Sequence, residues 1–278
     1  MAAIMQENEA LVRFGAFASV FGVMALAEIF LPRRRIENAH RRRWPPNLGI
    51  LVINTLLVRL LFPAAAVGMA IAAGERGWGL LKVAAIPAWI ALPAAVLLLD
   101  LLIYLQHVMF HAVPLFWRFH RMHHSDVDFD VTTGGRFHPA EILLSMVIKV
   151  GAVAAIGPPV AAVVLFEIVL SSMSLFNHSN VRIPSALDGV LRWFVVTPDM
   201  HRVHHSVVTR ETNSNFGFNL PWWDRLLGTY RAQPRDGHLE MRIGLESFRS
   251  PAEYGLAKML TQPLRGDAAG ASITDRGR

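Results

Sequence analysis

The chain has 278 residues, room for one or two domains. Yet 53% of them are hydrophobic, only 17% are charged, and the mean hydropathy is +0.36, too apolar for a soluble domain of this size. The formal charge of +6 rests on 24 Arg and 3 Lys, and six of those Arg stand close together, Arg33 to Arg35 and Arg41 to Arg43. A basic cluster directly after an apolar span fixes membrane orientation more often than it binds nucleic acid, and no nucleic-acid partner is expected. Cysteine is absent, which excludes disulfides, iron-sulfur clusters and thiolate metal sites, so any metal must be held by nitrogen and oxygen.

In chain order, Glu7 and Glu9 precede the first apolar stretch, where a secretory leader would carry positive charge; the stretch is read as an anchor. Long apolar segments at roughly 14–32, 48–73 and 79–106 are each near or above the ~20 residues that cross a bilayer as helix. A fourth apolar region, 141–176, is interrupted by Gly157-Pro158-Pro159 and predicts a hairpin of two short helices. With the Arg33 to Arg43 loop placed in the cytoplasm, the next two spans carry the chain out and back, and the hairpin returns it to the same side. The expected fold is all-α: an integral membrane helical bundle of a bacterial inner membrane, with a histidine-rich cap on its cytoplasmic face. Residues 1–94 form the N-terminal transmembrane part, 95–230 the histidine-rich region with its hairpin, and 231–278 a C-terminal extension. Gly266 to Arg278, small and polar, is expected to be disordered.

One six-residue figure occurs twice, His120-Arg121-Met122-His123-His124-Ser125 and His201-Arg202-Val203-His204-His205-Ser206. Histidines at i, i+3 and i+4 share one helix face and can converge on a metal. A His-x-x-His-His string should occur about 0.02 times in a chain of this composition, so two copies are not accident. His107 and His111, spaced i, i+4, precede the first copy; His138 follows it, and His178 precedes the second. The topology puts all ten on one membrane face, and eight to ten converging imidazoles imply two metals. His40 and His238 lie apart and are read as ordinary hydrogen-bonded residues. Phe110, Phe116, Trp117 and Phe119 border the first cluster, and Trp193, Phe194, Trp222 and Trp223 the second, which suits an interfacial site.

The ordered set His107-x3-His111, His120-Arg-Met-His123-His124, Asn177-His178-Ser-Asn180 and His201-Arg-Val-His204-His205 resembles the eight-histidine pattern of the fatty acid hydroxylase and sterol desaturase superfamily, bacterial members especially. Arg136-Phe137-His138-Pro139, Asn213-Ser-Asn215-Phe216-Gly217 and Trp223-Asp224-Arg225-Leu226 extend the likeness over roughly 95–230. The resemblance implies a membrane-embedded enzyme with two iron ions that activates O2 and attacks an unactivated carbon-hydrogen bond of a lipid. It makes the two His-x-x-His-His figures and the His107/His111 pair metal ligands, and His178 matches the single His of the third box. Where some members carry another His, this chain has Ser174, so His138 either completes the ligand set or plays a structural part.

Histidine-only ligation needs hydrogen-bonded acceptors behind the rings. Asp100, seven residues before His107, is costly in an apolar span unless paired and is a candidate catalytic residue. Asn180, inside the third box, is the other; Asp126, Asp128 and Asp130 follow His124, and Asp199 stands where an N-cap would start the second histidine helix. No Gly-x-Gly-x-x-Gly marks a flavin or nicotinamide site, so the electrons must come from an external ferredoxin, cytochrome or reductase. Imidazole sites also accept Zn. The rival reading is a histidine-rich metal-handling membrane protein, a transporter or chaperone without oxygenase activity; such sites usually lie near the bilayer midplane, not at span ends.

Overall fold

A computed structural model describes residues 9–36 and 40–266 of the chain. The five long helices are α1 (Glu9–Phe30), α2 (His40–Leu61), α5 (Ala88–Ala112), α7 (Pro139–Ile156) and α8 (Val160–Asn177). Shorter ones lie between them: α3 (Ala65–Arg76), α4 (Leu80–Val83) and α6 (Pro114–His124). Five segments are long and apolar enough to cross a membrane, the second running from α2 through α4. Among the described residues there are no strands, only the isolated bridges Pro32 to Val181 and Ser206 to Ile243.

The proline pattern sets the helix ends. The apolar run expected as one span at 48–73 is broken at Phe62-Pro63, because proline cannot continue the ladder of the residues before it, and it becomes the end of α2 and most of α3. The third expected span, 79–106, starts late: α4 is a single turn, and α5 begins only after Pro87 and runs on to Ala112. That shift carries His107 and His111 on the last two turns of α5. The Gly157-Pro158-Pro159 break makes the hairpin its composition predicts. Gly157 ends α7 at φ +64°, and Pro159 precedes α8.

The far turn of the hairpin is a close glycine contact. A Cβ on Gly79, at φ +93°, would stand 2.2 Å from the Gly157 nitrogen, and one on Gly157 would stand 2.2 Å from the Trp78 carbonyl. The 18 residues of α7 span about 27 Å, close to the hydrocarbon thickness of a bilayer. His138, the N-cap of α7, and His178, the C-cap of α8, therefore sit at the same end, opposite Gly157. Between the ends, Ala66, Val67 and Ala70 of α3, Leu99 and Ile103 of α5, Val153 of α7 and Val163, Val164 and Phe166 of α8 form the main apolar core. Helix α1 lies along α8.

The basic run at 33–43 is not uniformly a solvent-facing signal. Arg43 is only 1% exposed, its Nε 2.6 Å from Asp126 Oδ1 and its Nη1 2.6 Å from Asp130 Oδ2. Arg33 pairs with Asp199 at 3.0 Å. Positive charge here ties the start of α2 to the segment after His124, a role that sequence position alone does not separate from topology. At the other end of the chain, α14 (Leu256–Thr261) follows α9 (Ser185–Leu191), α10 (Pro198–His204), α11 (Thr209–Thr212), α12 (Trp222–Leu226) and α13 (Gly237–Glu240). Met259 of α14 packs with Ile50 and Met122, and the Gln262 carbonyl accepts from Arg121 Nη2 at 2.9 Å, so this part of the extension straps the first histidine helix. The disorder expected for Gly266 to Arg278 concerns residues that lie, from 267 on, outside the described ones, and so does the side chain of His40.

Candidate metal centre

Four elements deliver the histidines. His107 and His111 leave the end of α5, His120, His123 and His124 the face of α6, and His201 and His204 the short α10, with His205 at its C-cap and His178 at that of α8. Proline opens both His-x-x-His-His helices, Pro114 and Pro198, at the position where a missing N–H costs nothing. Thr197, not Asp199, is the N-cap of α10, its Oγ1 accepting from Met200 N; Asp199 lies in the first turn and pairs with Arg33 and Arg202.

The ring nitrogens form two adjoining groups. His107, His111, His120, His124 and His204 make one, His123, His178, His201 and His205 the other; within each group the donor atoms lie within 4.8 Å of one another, and all nine residues are buried. Several nitrogens face each other directly: His107 Nε2 to His120 Nε2, His123 Nε2 to His178 Nε2 and His178 Nε2 to His201 Nε2 are all 3.1 Å apart. The far side of the rings settles what those atoms are. His107 Nδ1 lies 2.8 Å from the Phe216 carbonyl, His178 Nδ1 2.7 Å from the Ser174 carbonyl, His204 Nδ1 2.8 Å from the Ser214 carbonyl, and His120 Nδ1 2.7 Å from Glu141 Oε1. Each acceptor demands an N–H, so in the neutral ring each Nε2 carries only a lone pair. Between His107 and His120 two lone pairs thus face each other at 3.1 Å and repel unless a cation lies between them, and two donors about 2.1 Å from a common ion at a right angle are roughly 3 Å apart.

Orphaned atoms point the same way. His111 Nε2, His204 Nε2 and both ring nitrogens of His124 and of His205 are buried without a hydrogen-bond partner. Burial, reinforced by the repulsion of neighbouring imidazoles, pushes His123, His124, His201 and His205 well below the ordinary imidazole range. Burial likewise takes His178 and His204 down to about 3. All of these remain neutral at physiological pH, the state in which imidazole ligates metal. The nitrogen-only donor set suits iron, zinc or copper.

The structure does not bring the remaining expected site residues to this centre. His138 caps α7, its Nδ1 accepting from Ala140 N and its Nε2 3.1 Å from the Leu260 carbonyl, so both nitrogens are used elsewhere. Asp100 lies back along α5, with Oδ2 accepting from Trp223 Nε1 at 2.8 Å. Asn180 clamps the chain after α1: its Oδ1 accepts from Arg34 N and its Nδ2 donates to the Arg34 carbonyl. The carboxylate behind a ring is Glu141, and the amide is Asn213, with Oδ1 3.2 Å from His111 Nδ1. Neither Asp126 nor Asp130 does this; both are spent on Arg43. The burial cost to the Asp126 carboxyl is outweighed by that guanidinium, which holds it down to about 2.

The segment after α11 now has a physical account. Ser214 and Phe216 offer their carbonyls to His204 and His107, and Asn215, at φ +52°, holds the turn by donating to the Met200 and Arg231 carbonyls and accepting from Arg231 N. Asp224 accepts from Phe216 N and Gly217 N, both at 2.8 Å, and a Cβ on Gly217 would come within 2.6 Å of that carboxylate. A cavity of about 360 Å³ opens beside the rings, bordered by His107, His120 and His123 and lined mainly by apolar side chains such as Phe110, Phe137 and Met146. Phe137 stacks on His123 with ring centroids 4.3 Å apart.

Comparison with known proteins agrees with this geometry. Residues 92–229 match the family model described as fatty acid hydroxylase. The chain is 32% identical over 162 residues to an ornithine lipid hydroxylase, OlsE, of Rhizobium tropici, covering 58% of this chain and 46% of that one. It is 31% identical over 131 residues to the Homo sapiens alkylglycerol monooxygenase, covering 47% of this chain and 28% of the relative. With cholesterol 25-hydroxylase of Rattus norvegicus it shares 27% over 146 residues, 51% of this chain and 47% of the other. The matched part thus spans less than half the length of these relatives. No solved structure matches the chain.

Proposed function

We propose, from the place of this chain in the fatty acid hydroxylase family, that it is a membrane-bound oxygenase that hydroxylates or desaturates an unactivated carbon-hydrogen bond of a lipid. The observation that carries the reading is the pair of buried histidine groups, with the lone pairs of His107 and His120 turned toward one another, at the mouth of an apolar cavity. His107, His111, His120, His124 and His204 would hold one iron ion, and His123, His178, His201 and His205 a second. Bound there, iron supplies the activation of O2 that carbon-hydrogen cleavage requires. For hydroxylation the balance is one O2, two electrons and two protons per alcohol and water formed, so a one-electron or hydride carrier outside the chain must supply the electrons.

The protein's own groups do the rest. Glu141 and the carbonyls of Ser174, Ser214 and Phe216 fix the ring tautomers and orientations, which strengthens the donor atoms. Phe110, Phe137 and Phe216 around the rings keep the site dry and give a carbon chain a place to lie. In this reading the protein lies in a bacterial inner membrane with the centre on the cytoplasmic face, within reach of a soluble donor, an orientation that the positive-inside rule supports. The named relatives act on ornithine lipid, alkylglycerol and cholesterol; what these share is an amphiphile with a long apolar body, and that is the substrate class proposed here. A metal-transport reading is disfavoured because the histidines cluster at the helix ends beside an apolar cavity. The test is to supply 18O2 and a reductase system to membranes containing the protein. One 18O atom appearing in a lipid alcohol, and vanishing in His204→Ala, is expected; metal binding with no lipid product would contradict the reading.

A further inference from the structure

A second cavity, polar and of about 560 Å³, is walled by α9, α12 and α13 and shares no lining residue with the cavity of the histidines. Arg33, Arg182, Arg192 and Arg225 bring four guanidinium groups to it, against the carboxylates of Asp188 and Asp199. Asp188 pairs with Arg192 at 2.6 Å, and Asp199 pairs with Arg33 and also with Arg202, which is outside the lining. Asp224, close enough to Arg225 to feel its charge, spends its oxygens on Phe216 N, Gly217 N and Thr229 Oγ1. With all of these counted, five guanidinium groups stand against three carboxylates, and Arg182 and Arg225 form no ion pair among the described residues.

Three residues of the lining also hold donors that meet no acceptor among the described residues. His238 is 6% exposed, and neither of its ring nitrogens has a hydrogen-bond partner; Asp199 Oδ2 stands 3.7 Å from Nε2, too far for one. Burial, with the charges of Arg202, Arg33 and Arg192, holds that ring down to about 4 against the pull of Asp199, so it is neutral and carries one N–H. The Nε atoms of Arg192 and Arg225 are buried and unpartnered as well. Asp188 Oδ1 is an unpaired acceptor in the same lining, and it does not balance three donors. Buried polar groups are ordinarily paired, so this excess calls for an anion with acceptor atoms on several sides.

The cavity sits where a bilayer changes from headgroup to acyl chain. Arg33 N donates to the Asn180 carbonyl and Arg182 N to the Leu31 carbonyl, which places both arginines just past the ends of α1 and α8. On the other side, Trp223 Nε1 of α12 donates to Asp100, about 10 Å before His107 along α5, and Leu97, Leu98 and Leu105 on that stretch of α5 are exposed. Trp193, Phe194, Trp222, Leu226 and Leu227 add an exposed apolar surface, held together by the 2.7 Å bond from Trp222 Nε1 to the Trp193 carbonyl. Trp193 belongs to both surfaces: it is exposed, it lines the cavity, and its ring lies 4.1 Å from the Arg225 guanidinium. A basic wall and an apolar surface that meet at tryptophan match the level of lipid headgroups.

We propose that this cavity binds the phosphodiester of an anionic glycerophospholipid of the surrounding bilayer, whose acyl chains lie against Trp193, Phe194 and Trp222. Guanidinium groups recognise phosphate by paired hydrogen bonds, and a headgroup without an ammonium suits a lining with surplus positive charge. The lipid is not the substrate, since its site is separate from the cavity of the histidines. Through Asp199 it borders α10, which carries His201 and His204, so the bound lipid ties the second histidine helix to the membrane.

The test is lipid retention. Iron-loaded protein in dodecyl maltoside is equilibrated with equal amounts of dioleoyl phosphatidylglycerol and dioleoyl phosphatidylcholine, freed of excess lipid by size exclusion, and the lipid left per chain is counted by mass spectrometry. Wild type should keep phosphatidylglycerol about tenfold in preference to phosphatidylcholine, the value of one charged hydrogen bond. Arg182→Gln and Arg225→Gln should each remove most of that preference, Arg182→Lys should keep it, and Arg231→Gln, exposed and outside the lining, should leave it unchanged. The Arg182 side chain is exposed and makes no hydrogen bond among the described residues, so a failure of Arg225→Gln to fold does not end the test. Equal retention of the two lipids by wild type, a preference untouched in both glutamine variants of the lining, or one moved as far by Arg231→Gln would overturn the proposal. Equilibrium dialysis with radiolabelled inorganic phosphate separates the sources of the anion: phosphate bound by wild type and lost in Arg182→Gln, with no phospholipid retained, would mark a site for soluble anions and overturn it too. None of these readings uses turnover, so they stand apart from the oxygenase reading.

Discussion

Single atoms behind the rings decide how well a histidine centre holds its ions. Among the described residues, Glu141 is a carboxylate bonded to a ring of the centre, 2.7 Å from His120 Nδ1. Glu141→Gln keeps an acceptor but removes the charge, and metal affinity should fall about 10- to 100-fold, as changes to such outer partners do, measured by competition with a chelator. Arg43 presents the opposite case, a residue outside both histidine groups that holds the frame. Arg43→Met leaves Asp126 and Asp130 buried and uncompensated, and the protein should lose about 3–5 kcal/mol, read as a lowered unfolding midpoint in detergent. Restoration of stability by Asp126→Asn added to Arg43→Met would be the signature of the pair; no change in the single variant would contradict it. His138 should behave as a cap and not as a ligand: His138→Asn, which preserves an N-cap acceptor, should retain the full metal content.

At the scale of elements, two glycine contacts separate what holds the site from what holds the fold. A Cβ on Gly134 would stand 2.5 Å from the Ser174 carbonyl, the same oxygen that orients His178. Gly134→Ala should therefore loosen the group of His123, His178, His201 and His205 and leave the other group loaded, a loss of about half the metal by elemental analysis. Gly157→Ala, at the opposite end of α7, should lower stability with the metal content unchanged, because its clash is with the Trp78 carbonyl. The reach of sequence reasoning also differs by element. The hairpin was legible because proline and glycine interrupt a helix for local reasons. The break at Pro63 and the late start of α5 were equally local but were hidden inside runs of uniform hydropathy, where composition continues although the backbone does not. Acceptors were the hardest to foresee: Glu141 reaches His120 across 21 residues and Arg43 reaches Asp126 across 83, and nothing in local spacing distinguishes these acids from Asp128 or Asp199.

Across the whole molecule, nine histidines from four stretches of chain meet because the helices between them return the chain to one end of the bundle. The repeated His-x-x-His-His figure announced that convergence in the sequence, since helical spacing fixes a face and an even number of crossings fixes a side. What spacing leaves open is the partition into a group of five and a group of four, which depends on how α6 and α10 are rotated against α5 and α8. The most direct measurement of the central claim is metal content per chain of the purified, iron-supplied protein, for wild type, His111→Ala and His205→Ala. The account predicts about two iron ions per chain, with each variant losing chiefly the ion of its own group. A single ion per chain, or a wild-type content untouched by both substitutions, would contradict it.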